Sequence, residues 1–150
     1  MEVQPDFREL LALFNAHKVK YVIVGGYALA FYGAPRATGD IDILVQPSRA
    51  NSARILAALD QFGFRSVGLK ASDFEKPDHV IQLGVPPVRV DILTSLTGIS
   101  WSAAYKSRVK GYYGDVAVFY LGRRQFLVNK RAVARKKDQA DIEALGEPEK

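Results

Sequence analysis

The sequence predicts an α/β (α+β) fold, a mixed central sheet flanked by helices. Three observations carry that expectation. Apolar, β-branched runs alternate along the chain with segments whose apolar residues recur at helical spacing, the order of an α/β sheet. Two of the runs, VIQLGV (80–85) and VRVDIL (88–93), are separated only by Pro86-Pro87, which predicts a hairpin and therefore a mixed sheet. The chain has 150 residues, 48% apolar and 25% charged, with no repeat or linker, which predicts one domain over 1–150 with a core of its own.

The elements follow in order. DFRELLALFNAHKV (6–19) puts Phe7, Leu10, Leu11 and Phe14 on one helical face, with Asp6 as N-cap. YVIVGG (21–26) reads as a buried strand, and GYALAFYG (26–33) as a short helix stopped at Gly33, with Pro35 barring its continuation. DIDILVQ (40–46) is a strand with Ile41, Ile43 and Val45 on one face. Ser48 opens a helix that closes at Gly63. After the 80–93 hairpin, SWSAAYKSRV (100–109) reads as helical and DVAVFYL (115–121) as the last strand. One or two helices then run to about Leu145, giving the order α-β-α-β-α-β-β-α-β-α.

Several classes are disfavoured. No apolar run approaches the roughly 20 residues that span a bilayer, and MEVQPDFREL has neither the basic nor the apolar region of a signal peptide. The expectation is a cytoplasmic chain with no membrane association. The absence of cysteine excludes disulfides, thiolate metal sites and cysteine nucleophiles. His17 and His79 are the only histidines, too few for a histidine-rich zinc site. The net charge of +5 is uneven: GRRQFLVNKRAVARKK (122–137) holds seven basic residues and no acidic one, so the remainder is net acidic. That segment is open to two readings, a phosphate or nucleic-acid contact or a solvated helix face.

The chemistry begins with Asp40 and Asp42. Same-face neighbours on a strand lie roughly 6.5–7 Å apart. Two carboxylates there either flank a divalent cation, which prefers oxygen ligands, or mark a solvated strand start. Asp91 lies in a second apolar strand, where Val90 and Ile92 face one way and Arg89, Asp91 and Leu93 the other. It either meets the first two acids across the sheet or pairs with Arg89 or another cation. Three converging carboxylates would suit two metal ions and an attacking hydroxyl. Gly25-Gly26, between a strand and a helix, would aim backbone N–H groups at triphosphate oxygens, or would simply allow tight packing. The segment is neither a G-x-G-x-x-G fingerprint nor a P-loop.

With these residues in view, GGYALAFYGAPRATGDIDILV resembles the signature of the nucleotidyltransferase superfamily with the polymerase-beta-like fold. Gly25 and Gly26 match its glycine turn, Asp40 and Asp42 its Asp-x-Asp strand, and Asp91 its later lone acid. The form Arg36-x-Thr38-x-Asp40-Ile41-Asp42 is similar to a minimal bacterial or archaeal branch that includes stand-alone domains and the toxins of toxin–antitoxin systems. NKRAVARKKDQADIEAL (129–145) is similar to the end of that branch, a basic stretch followed by D-x-x-D-I-x-x-L.

The resemblance implies magnesium-dependent transfer of a nucleoside monophosphate from a nucleoside triphosphate to an acceptor hydroxyl on a protein, a transfer RNA or a small molecule. It makes Asp40, Asp42 and Asp91 the catalytic and metal-ligating set for two Mg2+ ions, with Asp91 as proton acceptor. Gly25 and Gly26 then hold the β- and γ-phosphates. Arg36 and Thr38 either touch phosphate or order their loop, and Lys130, Arg131, Arg135 and Lys137 are candidates for phosphate contact. Asp138 and Asp141 are expected to anchor the tail through ion pairs. Tyr27 either stacks on a base or packs in the core, while Trp101, Tyr105, Tyr112 and Tyr113 pack the fold. Larger relatives carry an extra domain that selects the acceptor, and this chain has no room for one. Two other readings stand beside this one: an inactive nucleotide- or RNA-binding module or antitoxin-type partner of the same fold, and a structural α/β domain with a protein partner.

Overall fold

The computed structural model describes residues 3–34, 39–64, 68–85 and 87–146. The chain enters α1 (Pro5–Ala16), which buries Phe7, Leu10, Leu11 and Phe14. Its cap is Gln4 rather than Asp6: Gln4 Oε1 accepts from the Asp6 N–H at 2.8 Å, and Pro5 supplies a helical φ at the first position. There follow β1 (Tyr21–Val24), α2 (Gly25–Phe31), β2 (Asp40–Val45) and α3 (Arg49–Phe62). Ser48 Oγ caps α3 by accepting from the Asn51 N–H at 3.1 Å, and Gly63, at φ 116°, ends it in the left-handed region. A 3-10 turn at Ala71–Phe74 leads to β3 (Val80–Leu83) and β4 (Arg89–Leu93), then α4 (Trp101–Lys106), β5 (Val109–Tyr113), β6 (Val116–Tyr120), α5 (Arg123–Val133) and α6 (Lys136–Ala144).

Among the described residues six strands form one mixed sheet in the order β3-β4-β2-β1-β6-β5. β2 runs antiparallel to β1 and parallel to β4; β3 pairs antiparallel with β4, as the hairpin reading expected. β1 is parallel to β6. Ile41, Ile43 and Val45 are fully buried and join the core with Val22, Ile23 and Ile92. α1 packs on α3, and α5 on α6.

Several boundaries shift by a few residues from the sequence expectation, and two of the differences change the course of the chain. β1 stops at Val24 because Gly25, at φ 65°, already turns into α2. The helix expected over 100–109 ends at Lys106, and Val109–Tyr113 forms an edge strand paired antiparallel with β6. VKGYY shows little of the alternation that marks a strand because, as an edge, it buries only Gly111 and Tyr113. Gly111 lies against the rings of Phe31 and Tyr120, with no space for a Cβ.

Candidate active site

The register of the sheet builds the site. β2 and β4 are parallel and pair Asp40 with Arg89 and Asp42 with Asp91, so all four side chains stand on one face. The neighbouring strand contributes Val24 opposite Asp42, and the chain turns into α2 immediately after it. At φ 65°, Gly25 lies so close to Asp42 that a Cβ would overlap the Asp42 Oδ2 atom. The glycine turn and the acidic strand are therefore in direct contact.

These residues line a cleft of about 800 Å3 that crosses the sheet. Gly25 and Gly26 lie at one end, Asp40, Asp42, Arg89 and Asp91 occupy the middle, and Val80 of β3, with His79 just before it, marks the other end. Lys130 of α5, with Arg135 and Lys137 around the start of α6, also line it. Arg131 is exposed and is not part of the lining: one residue on from Lys130, it is turned by about 100° around α5. Arg36 and Thr38 lie outside the described residues.

The carboxylates crowd one another. Burial, then the charges of Asp91 and Asp40, push Asp42 up to about 6, with Lys130 opposing the shift. Asp42 and Asp91 are paired across β2 and β4. Arg89 meets Asp91 with two parallel bonds: its Nε donates to Oδ1 and its Nη2 to Oδ2, both at 3.0 Å. The same Nη2 stands 3.6 Å from Asp40 Oδ2. Among the described residues, no three Asp, Glu or His side chains are arranged so as to enclose a metal ion. The donor set nevertheless suits a hard divalent cation. Its acidic members offer carboxylate oxygens on one face, and burial together with the neighbouring charges of Asp91 and Asp40 raises the proton affinity of Asp42.

The basic segment is divided by the fold. Lys130 is buried, and its Nζ donates to Asp138 Oδ1 at 3.1 Å and lies 3.4 Å from Asp141 Oδ2. Arg135 Nε donates to Asp138 Oδ2 at 2.7 Å. Burial raises the Asp138 carboxyl, but the Arg135 and Lys130 hydrogen bonds outweigh it and hold the group below the usual carboxylate range. Asp138 and Asp141 thus close α6 onto α5 through ion pairs, and Lys130 reaches the cleft already engaged. Tyr27 is a core residue, edge-on to Phe7 and Tyr113 at 5.8 Å. Trp101 stacks on Tyr105 at 5.0 Å, while Tyr112 is exposed.

Some residues of the cleft were not singled out from sequence as part of it. Arg89 had a signal, since it stands two positions before Asp91 on the same strand face. Asn129, whose Nδ2 donates to the Thr97 carbonyl at 2.9 Å, and His79, whose Nδ1 donates to the Asp73 carbonyl at 3.2 Å, had none.

The fold is that of a nucleotidyltransferase, shared with the solved structures described below. The chain belongs to the family described as nucleotidyltransferases of unknown function (DUF6036), whose profile matches residues 2–146. Its class of activity is accordingly nucleotidyl transfer, with a nucleotide as substrate. Two solved structures share the fold. One is TM1012, a candidate nucleotidyltransferase of Thermotoga maritima, at 16% identity and TM-score 0.59, covering 97% of this chain and 93% of that one. The other is the lincosamide antibiotic adenylyltransferase LnuA bound to lincomycin, at 15% identity and TM-score 0.56, covering 95% and 96%. A comparison with curated protein sequences found no match. Among the described residues no helix is long and apolar enough to cross a membrane.

Proposed function

We propose that this chain, as one domain, transfers a nucleoside monophosphate from a nucleoside triphosphate to an acceptor hydroxyl, with Asp40, Asp42 and Asp91 holding divalent metal. The observation that carries the reading is the placement of these carboxylates on one sheet face, with Asp42 touching the Gly25 turn. Gly25 and Gly26 receive the β- and γ-phosphates at the start of α2, where neither residue carries a side chain of its own. Arg135 and Lys137 supply positive charge from the facing wall. Bound divalent ions would offset the triphosphate charge and make the acceptor hydroxyl more acidic. The acceptor oxygen bonds to the α-phosphorus, the bond from that phosphorus to the bridging oxygen of the β-phosphate breaks, and pyrophosphate leaves. In this reading the hydroxyl proton passes to Asp91, beside Asp42 on the paired strand. The substrates required place the reaction in the cytoplasm.

The test is release of pyrophosphate from each labelled nucleoside triphosphate in the presence of magnesium and a cell lysate. We expect label to appear on one class of acceptor, and Asp40→Ala and Asp42→Ala to reduce it at least 100-fold, since loss of groups that only support a metal ligand already costs about 10–100-fold. Undiminished labelling by both variants would refute the assignment.

A further inference from the structure

Arg89 occupies a place that the proposed reaction does not use. Its guanidinium grips both oxygens of Asp91 at 3.0 Å and stands 3.6 Å from Asp40, in the space that the two metal-ligating strands share. An arginine cannot shed its proton to make way for another cation. A metal ion ligated by Asp91 and Asp40 would sit against this charge, and the two positive charges would repel at short range. The guanidinium is also the movable member of the pair, with its side chain 30% exposed against 10% for Asp91.

We propose that Arg89 is a built-in counter-cation of the metal site. It neutralises Asp91 and Asp40 while the cleft is empty and must swing out for metal to be ligated. The inference rests on the metal-dependent reading above and adds an order to it. The free protein holds divalent metal weakly, and metal enters together with the triphosphate, whose negative charge compensates both the ion and the displaced guanidinium. Arg89 is thus a positioning residue that sets which species the cleft admits.

The test is a manganese(II) titration followed by electron paramagnetic resonance, without nucleotide, on the wild type, Arg89→Gln and Arg89→Lys. Removing the fork should tighten nucleotide-free binding about ten-fold or more in Arg89→Gln, with Arg89→Lys between, because a charge-assisted two-bond competitor is lost. Magnesium should also raise the Tm of Arg89→Gln more than that of the wild type. A purely structural ion pair would leave metal affinity unchanged or weaker in both folded variants, and that result overturns the inference. If Arg89→Gln does not fold, Arg89→Lys carries the test on the same terms. A parallel titration with non-hydrolysable nucleoside triphosphate analogues separates the two readings. Wild type that binds no manganese even with any analogue refutes the metal-dependent function itself. Wild type that binds it only with an analogue, while Arg89→Gln gains nothing without one, refutes the role of Arg89 alone.

Discussion

Gly25 lies directly against the carboxylate of Asp42, at a backbone φ of 65° that side chains rarely adopt. Two features that are far apart in sequence therefore share one surface, and a single methyl group added to Gly25 would disturb both. Gly25→Ala should lose about 1–2 kcal/mol of stability from the left-handed backbone, and nucleotide binding should fall by more than that loss explains. Urea unfolding beside calorimetry with triphosphate checks this. Wild-type nucleotide affinity in a folded Gly25→Ala variant would mean that the turn does not face the ligand.

Asp42 makes the metal-free protein sensitive to pH. Its carboxyl is raised from 3.8 to about 6 by burial and by its acidic neighbours. Between those values the folded chain binds more protons than the unfolded one, so stability falls as pH rises from about 4 to about 6 and is level above. The loss from this group is about 2–3 kcal/mol at most. Asp42→Asn should remove that slope and be more stable than the wild type at pH 7 without metal. Thermal unfolding at successive pH values, with chelator and then with magnesium, is the measurement; magnesium should diminish the difference.

The tail is held by a buried ion pair cluster. Lys130, Asp138 and Asp141 are 6%, 0% and 2% exposed, and Asp138 holds both Lys130 and Arg135, so its removal leaves buried positive charge short of compensation. Asp138→Ala should cost about 3–5 kcal/mol, and Asp141→Ala less, because Asp138 still pairs Lys130. Because Asp138 is held below the usual range, its contribution is present above pH about 4 and is lost as pH falls through its lower folded value. Urea unfolding at pH 7 decides the magnitude; a cost near zero would show that the cluster is dispensable.

The basic segment should divide in binding as it does in space. Lys137→Gln should weaken triphosphate binding several-fold, since Lys137 lines the cleft, whereas Arg131→Gln should leave it unchanged, since Arg131 does not. If the acceptor is RNA, each lost phosphate contact should also reduce the log–log salt slope by about 0.7–0.9. Equal effects of the two variants on triphosphate binding would return the whole segment to a diffuse charge effect.

Much of this arrangement is written in local pattern. The alternation of DIDILV and RVDIL places each aspartate away from the buried isoleucines, because successive side chains on a strand point to opposite faces. Ser48 and Gly63 bound α3 through capping rules that act over a few residues. What is local in cause is legible in sequence.

The rest depended on contacts between distant segments. Alternation put Asp91 on one face of its own strand, but only the parallel pairing of β2 with β4 set it beside Asp42 rather than elsewhere on the sheet. Arg89 carried the spacing of an Asp91 partner, yet its grip on the acidic face required the same pairing. β5 escaped notice because an edge strand is specified by its neighbour β6 more than by its own composition. Lys130 reads as a phosphate-contact candidate and Asp138 and Asp141 as ion-pairing anchors, but only the left-handed Ala134, at φ 56°, which folds α6 back, makes Lys130 the partner of those two acids. Periodicity determines which way a side chain points from its own element. Only the packing of elements determines what it meets, because charge compensation and burial arise between segments and leave no mark in either one alone.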